Sequence, residues 1–155
     1  LKSLELEQVR INFVGDISPL PDALKDLINE ATISTKENRG IHFNVCTNYG
    51  GRRELVFAAQ QLAKKCLRGE IDPSLIGEEE FASELFTSTE VDPDLIIRTS
   101  GEKRISNFLL WQLAYSEFYT TDVLWPDFDE AEFDKAINTY NNRERRFGGI
   151  ESITR

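Results

Sequence analysis

Arginine is the residue type whose placement suggests chemistry. Seven of the eleven arginines, Arg52, Arg53, Arg98, Arg104, Arg143, Arg145 and Arg146, fall in three short stretches. A planar guanidinium captures phosphate oxygens in pairs, and a neighbouring glycine lets backbone N–H groups approach the same anion. Two stretches combine these residue types: Asn48-Tyr49-Gly50-Gly51-Arg52 and Arg98-Thr99-Ser100-Gly101-Glu102. The second runs on through Lys103, Arg104 and Ile105 to Ser106, which is placed to cap a following helix whose N-terminus would itself attract an anion. Taken singly, each arginine also suits a surface ion pair and Ser106 a plain cap. Together they favour a phosphate site.

Glu117 is the second feature. It stands near the end of the most apolar stretch of the chain, Ile105 to Phe118. A carboxylate in such a place must be paired, hydrogen-bonded or bound to a cation, or else reach solvent past Ser116 and Tyr119. Magnesium takes one or two carboxylates together with substrate phosphates, so Glu117 is the candidate metal ligand. His42, the single histidine, sits in a strand pattern and receives no role. Asp127 and Asp129 flank capping-box spacing and read as turn and cap residues. The sequence holds no G-x-x-x-x-G-K-[ST] loop, no G-x-G-x-x-G and no D-D-x-x-D, so standard nucleotide cradles and the aspartate motif of trans-type prenyl transfer are absent.

These residues need elements to hold them. Val9 to Val14 alternates as a strand ending at Gly15-Asp16, and apolar positions from Asp22 through Ala31 recur at helical spacing. Ile41, Phe43 and Val45 alternate as a second strand, followed by a helix face of Leu55, Ala58, Ala59, Leu62, Ala63 and Cys66. Gly77 to Phe86 predicts a short acidic surface helix, and Asp94 to Arg98 a buried strand. Ile105 to Phe118, apolar nearly all round, predicts a helix buried in a core or an interface. A last strand is expected over Asp122 to Trp125, and a last helix from Asp129 carries Phe133, Ala136, Ile137 and Tyr140. Strands alternating with helices predict an α/β fold with a mainly parallel sheet flanked by helices, ligands collecting beyond the carboxyl ends of the strands.

The 155 residues suffice for one domain with a real core, and 40% hydrophobic with 29% charged residues is the balance of a globular protein. No apolar run is long enough to cross a bilayer. A formal net charge of −9 speaks against nucleic acid as a partner, because so acidic a surface repels a phosphate backbone. Cys46 and Cys66 have no C-x-x-C spacing and read as reduced thiols of an intracellular protein.

One long stretch, Asp92-Pro93-Asp94-Leu95-Ile96-Ile97-Arg98-Thr99-Ser100-Gly101-Glu102-Lys103-Arg104-Ile105-Ser106-Asn107-Phe108-Leu109-Leu110-Trp111-Gln112, resembles the signature of the cis-prenyltransferases. Ala114 to Glu117, Leu124-Trp125-Pro126-Asp127-Phe128, Arg143 to Gly149 and Asn48 to Arg52 extend the likeness over essentially the whole chain, which resembles the bacterial undecaprenyl diphosphate synthases of that family. The resemblance implies that Arg98, Arg104 and Ser106 bind the diphosphate of isopentenyl diphosphate, with Asn48 and Arg52 in the substrate site, and that Glu117 helps to hold Mg2+. It also implies a homodimer in which Arg146 and Gly148, of the family's R-x-G motif, reach the neighbour's site. The family's His-Met-Asp-Gly-Asn-x-Arg-Trp loop, which cradles the allylic diphosphate, has no counterpart here. Residues 1–155 are therefore expected to be the C-terminal part of a catalytic domain, inactive alone.

The implied reaction joins isopentenyl diphosphate to an allylic diphosphate such as farnesyl diphosphate, giving a Z-polyprenyl diphosphate, most simply undecaprenyl diphosphate. The growing product needs an apolar tunnel. Ile41, Phe43 and Val45 could wall it or could be ordinary core. The implied location is cytoplasmic, with peripheral membrane contact for product release. Two other readings stay open, a non-catalytic partner subunit of a heteromeric cis-prenyltransferase and a plain phosphate-binding module.

Overall fold

A computed structural model describes residues 6–142. The chain forms two compact units, one of residues 6–91 with 105–111, the other of 92–104 with 112–142.

In the first unit, β1 (Arg10–Val14) pairs in parallel with β2 (His42–Cys46), Arg10 opposite His42 and Val14 opposite Cys46. Helix α1 (Asp22–Thr35) crosses between them, as a parallel pair requires. Thr35 closes that helix fully buried, its hydroxyl donating to the Ala31 carbonyl while accepting the Ile11 N–H at 3.1 Å. One side chain thus docks the helix end on β1. Beyond β1, Gly15 has φ +135, and a Cβ there would overlap the Thr47 carbonyl oxygen, so the strand end demands glycine.

Helix α2 (Gly51–Leu67) buries Gly51, Glu54, Ala58 and Leu62, a stripe at helical spacing, and Lys64 and Lys65 suit its carbonyl end. A 3-10 turn (Pro73–Leu75) and the short acidic helix α3 (Glu78–Ala82) follow, the latter begun by the Glu80 carboxylate accepting the Gly77 N–H at 2.9 Å. Val14, Ile28, Ala58, Leu62 and Leu85 make the core of this unit. Ile41 is 72% exposed and Phe43 52%, so these two do not join the core.

In the second unit, β3 (Leu95–Arg98) pairs in parallel with β4 (Glu117–Thr120), Leu95 opposite Glu117 and Arg98 opposite Thr120. A 3-10 turn (Trp125–Asp127) leads to α4 (Glu130–Asn141), capped as expected by Asp129, whose carboxylate accepts the Glu132 N–H at 3.0 Å. Ile96 and Ala136 are its buried apolar side chains among the described residues.

Two expectations are corrected. Ile105 to Phe118 is not a helix: Ser106, Asn107 and Leu109 have φ of 53°, 62° and 45°, and the chain runs in turns. Left-handed residues cannot continue an α-helix. The Glu117 N–H then donates to the Asp94 carbonyl at 2.8 Å, committing the segment to β4. The last strand accordingly lies at Glu117–Thr120 and not over Asp122 to Trp125. The parallel pairs and flanking helices are those of the α/β class the sequence predicts. No helix among the described residues is long and apolar enough to cross a membrane.

Candidate functional site

Arg98 ends β3 at its carboxyl end, where the Thr121 N–H donates to the Arg98 carbonyl at 3.0 Å. Ser100 (φ 60°) and Gly101 (φ 67°) then turn the chain back. Their N–H groups donate to the Val123 and Thr121 carbonyls at 2.8 and 2.9 Å, so this glycine turn commits its donors to the loop after β4. An anion at this strand end would meet side chains and not these N–H groups. Arg104 Nη2 donates to the two Glu102 carboxylate oxygens at 3.0 and 3.2 Å, and Arg98 Nη2 stands 3.7 Å from the same carboxylate. The hydrogen bond from Arg104, then the charges of Arg104 and Arg98, hold the Glu102 carboxyl below its ordinary value. Arg98 Nε is buried and makes no hydrogen bond among the described residues. Two guanidiniums on one carboxylate form a clamp that an oxyanion with more charge could enter.

In the other unit, β2 leads into Asn48, which has φ 47° and donates from Nδ2 to the Asp16 carbonyl at 2.8 Å. Tyr49 turns inward, its hydroxyl donating to Glu54, which is fully buried in the first turn of α2 and also accepts the Phe86 N–H at 2.9 Å. Burial first, then the bond to Glu54, push the Tyr49 hydroxyl far above its ordinary range. Burial also raises the Cys46 thiol, with Glu54 adding to it. The Gly51 N–H donates to the Asn107 carbonyl at 2.8 Å, so this glycine too is committed internally. Arg52 stays exposed, while Arg53 pairs with Asp16, whose carboxyl is held low chiefly by hydrogen bonds from Ser18 and further by Arg53. A cleft of about 630 Å³ lies here, with Phe57 and Phe86 in its wall.

The predicted residues therefore fall into two sets. Arg98 and Arg104 converge through Glu102 in one unit; Asn48, Arg52 and Ser106 belong to the other. Ser106 is exposed with φ 53° and caps no helix, which corrects its expected role as N-cap. Glu117 opens β4 instead of ending a helix, and lies at the amino end of the strand pair while Arg98 lies at the carboxyl end. Three residues of strand, about 10 Å, separate those ends. Among the described residues no three acidic, histidine or cysteine groups gather as a metal cluster. Arg146 and Gly148 lie outside the described residues. Glu102 and Glu54 are site residues that no motif above singles out, although Glu102 stands four after Arg98 and two before Arg104, and Glu54 shares the helical phase of Ala58 and Leu62.

Parallel strand pairs with helices beside them define the class, an α/β protein, in which Arg98 and Arg104 meet on Glu102 just beyond the carboxyl end of β3. The chain belongs to the prenyltransferase family described as undecaprenyl diphosphate synthase, whose model matches residues 1–148. It is 63% identical over 151 residues to an isoprenyl transferase of Prochlorococcus marinus, an alignment covering 97% of this chain and 57% of that relative. It is 47% identical over 151 residues to the ditrans,polycis-undecaprenyl-diphosphate synthase, (2E,6E)-farnesyl-diphosphate specific, of Escherichia coli strain K12, covering 97% of this chain and 60% of that one. Among solved structures, lavandulyl diphosphate synthase from Lavandula x intermedia, in complex with dimethylallyl diphosphate, matches with a TM-score of 0.91 and 40% identity over 96% of this chain and 64% of that one. The chain thus spans less than two thirds of the length of these relatives. The resemblance read from the sequence is borne out at the level of family and fold.

Proposed function

We propose that the protein carrying this chain condenses isopentenyl diphosphate with an allylic diphosphate to give a Z-polyprenyl diphosphate. The observation that supports this most is the convergence of Arg98 and Arg104 on one anion, the Glu102 carboxylate, within the signature stretch. The family resemblance assigns Arg98, Arg104 and Ser106 to the diphosphate of isopentenyl diphosphate, and Asn48 and Arg52 to substrate binding. The isopentenyl double bond forms a carbon–carbon bond to the allylic carbon as the allylic carbon–oxygen bond breaks. Diphosphate departs, and loss of a proton from the isopentenyl unit leaves the new cis double bond. Arg98 and Arg104, by holding the diphosphate that stays attached, orient the isopentenyl double bond toward the allylic carbon.

Glu117 is the carboxylate this chain would offer to Mg2+, which when bound supplies positive charge to the departing diphosphate. A single carboxylate suffices where substrate phosphates complete the site, and the diphosphate with its cation would have to span the about 10 Å of strand between Arg98 and Glu117. The exposed apolar face of Ile41 and Phe43 supports the tunnel-wall reading over the core reading. Farnesyl diphosphate as primer, undecaprenyl diphosphate as product, and a homodimer sharing Arg146 and Gly148 belong to the same proposal. The test is incubation of the enzyme carrying this sequence with radiolabelled isopentenyl diphosphate and farnesyl diphosphate. Extractable labelled polyprenyl diphosphate is expected from it and strongly diminished in Arg98→Ala; a complete enzyme that binds both substrates but makes no product would instead identify a non-catalytic subunit.

A further inference from the structure

Helix α2 begins without a cap of its own. Its N-cap residue is Gly50, which has no side chain to accept an N–H, and the first four N–H groups of a helix find no partner within it. Two of them are met from far along the chain. The Gly51 N–H donates to the Asn107 carbonyl at 2.8 Å, and the Arg52 N–H to Asn107 Oδ1 at 2.9 Å. Asn107 presents both acceptors because its φ is 62°, a left-handed backbone that asparagine tolerates better than most residues. The fit is close. A Cβ on Gly50 would come within 2.9 Å of Asn107 Nδ2, and one on Gly51 within 2.7 Å of Leu110 Cγ, so Gly50-Gly51 is what lets the 105–111 turn seat on the helix start. Tyr49 and Phe108, edge to face at 5.8 Å, add a third tie.

We infer that Asn107 is a positioning residue. By capping α2 it fixes the turn that carries Ser106 beside the Asn48–Arg52 loop, so that the hydroxyl is in place before isopentenyl diphosphate arrives. The inference rests on the diphosphate role proposed above for Ser106. An interaction that orders a binding group in advance removes that ordering cost from binding.

Asn107→Gly tests the effect, because glycine keeps the backbone carbonyl and accepts the left-handed φ while the side-chain acceptor is lost. In the enzyme carrying this sequence, Asn107→Gly is expected to raise KM for isopentenyl diphosphate roughly five- to thirty-fold, with KM for the allylic diphosphate unchanged and the Arg52 amide losing protection from hydrogen exchange. Asn107→Asp keeps an acceptor at a helix N-terminus, where negative charge is favoured, and is expected to keep that protection. An unchanged KM for isopentenyl diphosphate in Asn107→Gly rejects the inference, as does a loss of activity that only follows the loss of folded protein. Should Asn107→Gly not fold, Asn107→Asp decides: an Arg52 amide exchanging faster than in wild type rejects the cap. Arg98→Ala, measured beside them, separates the two readings. A raised KM there with Asn107→Gly unmoved sinks only the positioning role, whereas an unchanged KM in both sinks the diphosphate reading and the positioning role with it.

Discussion

Glu54 shows how a single residue can set a loop. It has no exposed surface, and its carboxylate gathers the Tyr49 hydroxyl and the Phe86 N–H. Removing the hydroxyl with Tyr49→Phe deletes a hydrogen bond to a charged acceptor and should cost about 1.5 to 3 kcal/mol, read as a lower urea midpoint with unchanged slope. The pH dependence follows in sign. The folded protein raises Tyr49 above its ordinary value, so it holds the proton more tightly than the unfolded chain does. The Tyr49 contribution is therefore full below about pH 10 and lost as pH rises above it. The stability gap between wild type and Tyr49→Phe should narrow on the alkaline side, and a gap constant to about pH 11 would contradict the burial of that hydroxyl. Arg98 and Arg104 act at the same scale. Each change to alanine should lower kcat/KM for isopentenyl diphosphate roughly ten-fold to over a hundred-fold, the effect of losing one charge-assisted contact. Steady-state kinetics with the allylic substrate saturating would measure it.

At the scale of elements, glycines decide where strands and helices can end. Gly15 and Gly69 both have positive φ, but a Cβ on Gly15 would overlap the Thr47 carbonyl whereas one on Gly69 would meet nothing within 4 Å. Gly15→Ala should therefore cost at least about 2 kcal/mol, from backbone strain with a clash added, and Gly69→Ala only about 1 to 2 kcal/mol. Equal thermal shifts in the two variants would show that the β1 end relaxes around the extra carbon. Glu117 belongs here too, because it opens strand β4 and does not end a helix. Glu117→Gln keeps the strand and removes the charge, so a magnesium titration should show weaker dependence and a much lower kcat at an unchanged melting temperature. A wild-type titration would leave Glu117 as a strand residue with no part in metal binding.

For the whole molecule, the proposed sharing of Arg146 between subunits makes a prediction that no single chain can. Mixed dimers of Arg146→Ala and Arg98→Ala chains would carry both lesions at one site and none at the other. Random exchange makes about half the dimers mixed, so about a quarter of wild-type activity should return, by two-fold symmetry. Activity that stays at the level of the separate variants, with exchange confirmed by a tag pull-down, would reject the shared site. The family, the α/β class, β1, β2, α1 and α2, and the clustering of Arg98 with Arg104 were legible in the order of the residues, because periodic patterns and motif order are local properties of the chain. So was the Asp129 cap, an interaction three residues long. The fate of Ile105 to Phe118 was not. An apolar run of that length fits a buried helix as well as a turn and strand, and what separated them was non-local: hydrogen bonds to Asp94, Pro93 and the start of α2, formed with residues 23 to 56 positions away. The same holds for Gly50 and Gly51, which look in sequence like room for a phosphate and in the fold make room for Asn107 and Leu110.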